Sequence, residues 1–170
     1  TTPLLFAGTT TIIASLPLAA VALLLRQLPP ARSPIWKDLA FIAVTGTTLP
    51  FCLFFTGTAM TTGLNAGLLQ QTEPVYSIVL SYFLLRERIP ARQVFGGLMI
   101  LAGAIVVLSG GNAQAGSVAG MRVGIGDILV MLAPLGYQLA HTRSKRLFAE
   151  GISSFLIAGF RLLIGGSLLL

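Results

Sequence analysis

Long apolar stretches separated by short polar ones dominate this chain. Runs near twenty residues, each bounded by a turn signal or a charge, predict six helices. They are A at about Pro3 to Leu25, B at about Leu39 to Met60, C at about Leu64 to Leu85, D at about Gln93 to Leu108, E at about Gly126 to Ala140, and F from about Ser153 onward. On this reading D and E are shorter than the rest. Residues 109–123, rich in Gly, Ala and Ser, form the longest expected loop and the expected joint between two halves. The expected organisation is four helices over 1–108, a linker over 109–123 and two further helices over 124–170.

The charges follow the same segmentation. Arg26, Arg32 and Lys37 fall between A and B; Arg86, Arg88 and Arg92 between C and D; Arg143, Lys145 and Arg146 between E and F. The B–C turn, Thr61-Thr62-Gly63, has no basic residue and the D–E loop has only Arg122. Basic residues in every second connection are what the positive-inside rule produces. The three basic connections are therefore expected on the cytoplasmic side, with Thr1 and the 109–123 loop outside.

Composition excludes a water-soluble globule. Of the 170 residues 55% are hydrophobic and 9% charged, and the mean hydropathy is +0.89. Lipid is the expected surrounding. A net charge of +6 would suit nucleic acid, but its confinement to alternate connections makes it a topology signal, and no nucleic-acid partner is expected. The one cysteine, Cys52, has no disulfide partner, and the single histidine, His141, is far from it in sequence. No metal or cofactor is expected. No basic segment precedes the first apolar run, so a secretory signal is not expected, and both ends read as cuts within a longer protein. No HExxH, GxSxG or phosphate-binding loop is present, so catalysis is not expected.

Helix C carries the chemistry. Glu73-Pro74 sits near its middle, and an acid at that depth costs about 2.5–3.5 kcal/mol on insertion scales. Such an acid should meet a wet cavity or a partner, or be protonated. At about 100° per residue, Ala66, Gln70, Glu73, Ser77 and Ser81 share one stripe, away from Leu68, Val75, Val79 and Leu84. Pro74 cannot donate to the Gln70 carbonyl, which is expected to be freed on that polar face beside a local kink. The plainer alternative makes Glu73 interhelical glue and Pro74 a packing device.

Other polar residues have competing readings. Arg161 lies well inside helix F and either snorkels to the cytoplasmic surface or pairs with Glu73 or an anionic substrate group. Tyr137 and Gln138 in helix E either line a cavity or, for Tyr137, anchor an interface. Asp127 suits the first turn of a helix, and His141 opens the basic E–F loop at headgroup level. The small-residue stripes Gly8, Thr11, Ser15, Ala19 and Ala22 in A, and Thr45, Thr48, Cys52 and Ala59 in B, are explained by close helix packing. Gly63 and Gly67 form a weak GxxxG.

Residues 57–108 resemble the last part of an EamA repeat of the drug/metabolite transporter superfamily. A helix of small and polar residues with the central Pro74 ends in Arg86-Glu87-Arg88, where the family has Gly-Glu-Arg. Gln93, Gly96, Gly97 and Gly103 suit its glycine-rich final helix. Gly126-Asp127 with Ala133-Pro134-Leu135-Gly136-Tyr137-Gln138 resembles the opening helix of the second repeat, with Tyr137 where Trp is common, and Arg161 matches an arginine of the next helix.

The resemblance implies an all-α, polytopic carrier of ten helices in two inverted five-helix repeats, of which this chain holds helices two to seven. It implies an alternating-access exporter of a small polar metabolite, amino acid or drug in the plasma membrane, the inner membrane if bacterial. Glu73, Gln70, Ser77, Tyr137 and Arg161 would contact substrate, Pro74 would supply the break, and a proton is the candidate coupling ion. Glu87 would hold the cytoplasmic C–D turn through Arg86, Arg88 or the E–F loop. The competing class is a non-transporting membrane sensor or assembly subunit. The residues leave oligomeric state open.

Overall fold

A computed structural model describes residues 3–24, 34–86, 88–111 and 124–170, with side chains throughout except at Leu85 and 104–111. The described residues form six helices and no strand. They are α1 (Pro3–Leu24), α2 (Ile35–Met60), α3 (63–85), α4 (Ala91–Gly111), α5 (Ile125–Ala149) and α6 (Ser154–Ser167). Two of them, α1 and α2, are each long and apolar enough to cross a membrane. Much of the surface is apolar, including Phe6, Ile13 and Leu16 on α1 and Phe83, Phe95 and Met99 on α3 and α4. A water-exposed monomer does not tolerate faces of this kind, whereas lipid does.

The short helices of the sequence reading are corrected. Helix α4 has 21 residues and α5 has 25, so α4 runs through the first residues of the expected 109–123 joint, and 112–123 lie outside the described residues. Helix α5 continues through Arg143, Lys145 and Arg146, which therefore sit on a helix and not in a loop, as does His141. The continuation has a packing cause: Ala140, Ser144 and Leu147, spaced as one helical face, are buried while Lys145 and Arg146 are exposed. Basic side chains in the last turn also suit the helix dipole. Gly151, at φ +83°, ends the helix in a left-handed turn in which the Ile152 amide donates to the Leu147 carbonyl.

The chain divides into two compact units that cut across the sequence halves: Thr1–Cys52 with Gly136–Leu170, and Leu53–Leu135. In the first, α6 packs against both α1 and α2. A cluster of Ala22, Leu39, Ile42, Ala140, Leu147, Leu156 and Ile157 is flanked by Trp36 and Phe160, whose rings meet edge to face at 5.0 Å. The α1 stripe packs as expected, with Gly8, Thr11, Ser15 and Ala22 buried; Gly8 and Thr11 face Gly166. At the α2 entrance, Arg143 directs Nε and Nη2 to one Asp38 oxygen at 2.9 and 2.6 Å.

In the second unit, Gly57 on α2 lies directly against Gly126 and Val130 on α5. Thr61 donates its hydroxyl to Asp127, which also accepts from the Gly124 amide, closing a reciprocal cap at the start of α5. Gly97 on α4 approaches Ile78 on α3. The GxxxG pair makes no such contact: nothing lies within 4 Å of a side chain at Gly63 or Gly67.

Candidate substrate site

Two helices lose regularity within apolar segments, and each does so one turn before a proline. In α3 a 3-10 turn spans Gln70–Thr72, directly before Glu73. Pro74 has no amide hydrogen for the Gln70 carbonyl, and the Glu73 amide donates to it instead. The expectation of a free Gln70 carbonyl is thus corrected: tightening by one residue satisfies it. Side chains three apart eclipse in a 3-10 turn, which aligns Gln70 with Glu73 along α3. Gln70, Glu73, Ser77 and Ser81 are all half-buried, and so are Leu68 and Val75 off the expected stripe, while Val79 and Leu84 are exposed.

Helix α2 repairs its missing donor the other way. Pro50 leaves the Gly46 carbonyl without its usual partner, and the helix widens into a π-helical turn over Val44–Thr48, where the Leu49 amide reaches back to Val44. The extra residue rotates the following side chains. Thr45, Gly46, Thr47 and Pro50 are buried, whereas Ala59, expected on the packing stripe, is exposed. The helices touch closely here. A Cβ at Gly46 would lie 2.7 Å from the Ala140 Cβ, and one at Gly165 only 2.5 Å from the Thr47 Cβ. The Thr48 hydroxyl donates to the Gly165 carbonyl at 3.1 Å.

Arg161 lies at this junction. Its Cδ would be 3.2 Å from a Gly46 Cβ, so its aliphatic stem runs along the π-helical turn. Tyr137 is its electrostatic neighbour, and the Tyr137 ring meets Phe51 edge to face at 6.4 Å. Gln138, next in α5, is buried. Among the described residues, the buried side-chain polar atoms lacking a hydrogen-bond partner are Thr47 Oγ1 and Arg161 Nε, both at this junction.

The residues singled out in the sequence therefore form two groups. Gln70, Glu73 and Ser77 follow one another along α3 in the second unit; Tyr137 and Arg161 lie in the first, within electrostatic range of one another. Glu87 lies outside the described residues. Sequence reasoning missed Thr47 and the π-helical turn as a polar element, although Thr45-Gly46-Thr47-Thr48 before Pro50 carried the signal. No cluster of metal-ligating side chains occurs among the described residues.

Such an architecture, helices with broken hydrogen bonding and polar side chains inside an apolar bundle, defines a polytopic membrane protein of transporter type. Residues 1–109 match the EamA-like transporter family, and the chain belongs to that family. It is 32% identical over 134 residues to the uncharacterized transporter YetK of Bacillus subtilis, covering 76% of this chain and 39% of the relative. An uncharacterized transporter of Methanothermobacter thermautotrophicus is 32% identical over 132 residues, 78% of this chain and 38% of the relative. The uncharacterized inner membrane transporter YhbE of Escherichia coli K12 is 32% identical over 98 residues, 56% of this chain and 30% of the relative. The chain thus spans well under half the length of these relatives. A crystal structure superposes with a TM-score of 0.73 at 24% identity, covering 99% of this chain and 56% of the other, a likeness of fold.

Proposed function

We propose that the protein acts as a secondary transporter, exporting a small polar metabolite, amino acid or drug by alternating access, and not as an enzyme. The observation that carries this reading is Glu73 placed immediately after the 3-10 turn of α3, an acid beside an irregular backbone turn within an apolar helix. Membership of a family of transporters supports it. So do the relatives' names, and YhbE's supports an inner-membrane location. In this mechanism Glu73 binds the cationic part of the substrate or exchanges it for a proton. Gln70 and Ser77 hydrogen-bond the substrate, Pro74 keeps the helix deformable, and Tyr137 and Arg161 are further candidate substrate contacts. The match over residues 1–109 supports a repeat boundary at the start of the 109–123 linker.

The test is flux in proteoliposomes containing the full-length carrier, with labelled amino acids and small amines as probes. Replacing the ionisable carboxyl in Glu73→Gln is expected to lower flux about tenfold or more, with unchanged melting temperature. Flux that survives the substitution overturns the role of Glu73. No flux of any probe by the native protein favours the non-transporting module.

A further inference from the structure

We infer that the junction of the α2 π-helical turn with α5 and α6 is a binding site for a single carboxylate, held by Arg161 with Thr47 and Tyr137. The inference rests on the transport reading only in naming that carboxylate as part of the transported solute; the site itself stands on its own geometry.

Charge is the first argument. Arg161 lies in the interior of α6 with its Nε buried, and a buried guanidinium nitrogen is costly unless an acceptor faces it. The acids of the unit are Asp38 and Glu150. Asp38 is engaged by Arg143, and Glu150 is exposed at the far end of α5. Within this unit no carboxylate compensates Arg161.

Hydrogen bonding is the second argument. Buried polar atoms in folded proteins are almost always paired, and exceptions mark places where a partner arrives from outside. Here the exceptions are Arg161 Nε and Thr47 Oγ1, on two helices in contact. Their relation is set by glycines: the Arg161 stem lies on Gly46, and Gly165, one turn after Arg161, lies on Thr47. Thr47 is only 1% exposed, so its hydroxyl cannot turn to water. The neighbouring threonine hydroxyls are already used, Thr45 donating to Phe41 and Thr48 to Gly165. An anion at Arg161 would accept from the guanidinium, from the Thr47 hydroxyl and from the Tyr137 phenol.

The donor set also selects the anion. One guanidinium and two hydroxyls balance one negative charge and suit the planar, two-oxygen carboxylate that guanidinium groups bind side on. A phosphate dianion would require a second cation, and among the described basic residues of this unit Lys37, Lys145 and Arg146 are exposed while Arg143 is held by Asp38. The solute class is therefore a small monocarboxylate, which includes zwitterionic amino acids.

Thermal stabilisation of the purified full-length protein tests this, with butyrate and benzoate compared with butyramide and benzamide at constant ionic strength, and inorganic phosphate as a third probe. The carboxylates are expected to raise the melting temperature and the amides and phosphate to leave it unchanged. Arg161→Gln is expected to abolish the response and Arg161→Lys to retain part of it. Should Arg161→Gln fail to fold, the near-isosteric Thr47→Val decides, with an expected weakening of about tenfold or more for one lost hydrogen bond to a charged group. Equal responses to acid and amide, a response to phosphate alone, or full butyrate binding in Thr47→Val overturns the inference. Flux that does not distinguish carboxylic acids from their amides overturns it too, and leaves transport standing. A carboxylate response without flux of any probe supports the site and removes the transport reading.

Discussion

Gly165 has no room for a side chain: a Cβ there would lie 2.5 Å from the Thr47 Cβ and 3.0 Å from the Ala43 carbonyl oxygen. Backbone cannot yield as a flexible side-chain tip can, so Gly165→Ala is expected to cost about 1–3 kcal/mol by overpacking. The measurement is the melting temperature of the full-length protein, which should fall by several degrees while Gly63→Ala, facing open space, leaves it unchanged. Equal melting would show that α2 and α6 do not pack through this glycine. Single residues were unevenly legible in the sequence. Glu73 and Arg161 stood out because a charge inside an apolar run is costly wherever the helix goes. Thr47 did not, because a threonine in a membrane helix ordinarily satisfies itself on the preceding turn, as Thr45 does. Its unpaired hydroxyl depends on a neighbouring helix.

The two irregular helices show how one chemical defect has two local solutions. Pro74 and Pro50 each remove the donor for a carbonyl four residues earlier. Helix α3 tightens into a 3-10 turn at Gln70–Thr72, while α2 widens into a π-helical turn at Val44–Thr48. Restoring the donor should erase each irregularity. Pro74→Ala is expected to regularise α3, rotate Gln70 out of line with Glu73 and lower flux about tenfold with no loss of stability. Proteoliposome flux beside a melting curve checks this, and unchanged flux would show that the break is dispensable. The proline position was readable from the sequence; the direction of repair was not, because it depends on which neighbour the displaced side chains meet. Helix α5 makes a related point. Arg143, Lys145 and Arg146 ended the apolar run, but the buried face of Ala140, Ser144 and Leu147 carried the helix on to Ala149.

Across the whole molecule, alternating charge specifies sidedness. In a single-cysteine background made by Cys52→Ser, Thr62→Cys at the α2–α3 turn is expected to react with a membrane-impermeant maleimide added outside intact cells. Arg146→Cys near the end of α5 should react only after the membrane is opened. Both positions are exposed, so access is governed by the bilayer and not by packing. Labelling of Arg146→Cys from outside would invert the topology.

The sequence alone determined that this is an all-helical membrane protein of six apolar segments with basic residues clustered at alternate segment ends, and placed it near one transporter family. Those properties follow from hydropathy and charge summed along each segment, which no tertiary contact can reverse. Tertiary structure alone decided how far α4 and α5 extend, how each helix compensates its proline, and that Arg161 lies along the π-helical turn beside an unpaired Thr47. These depend on which faces of separate helices come within a few ångströms of one another, and a one-dimensional pattern contains no such distances.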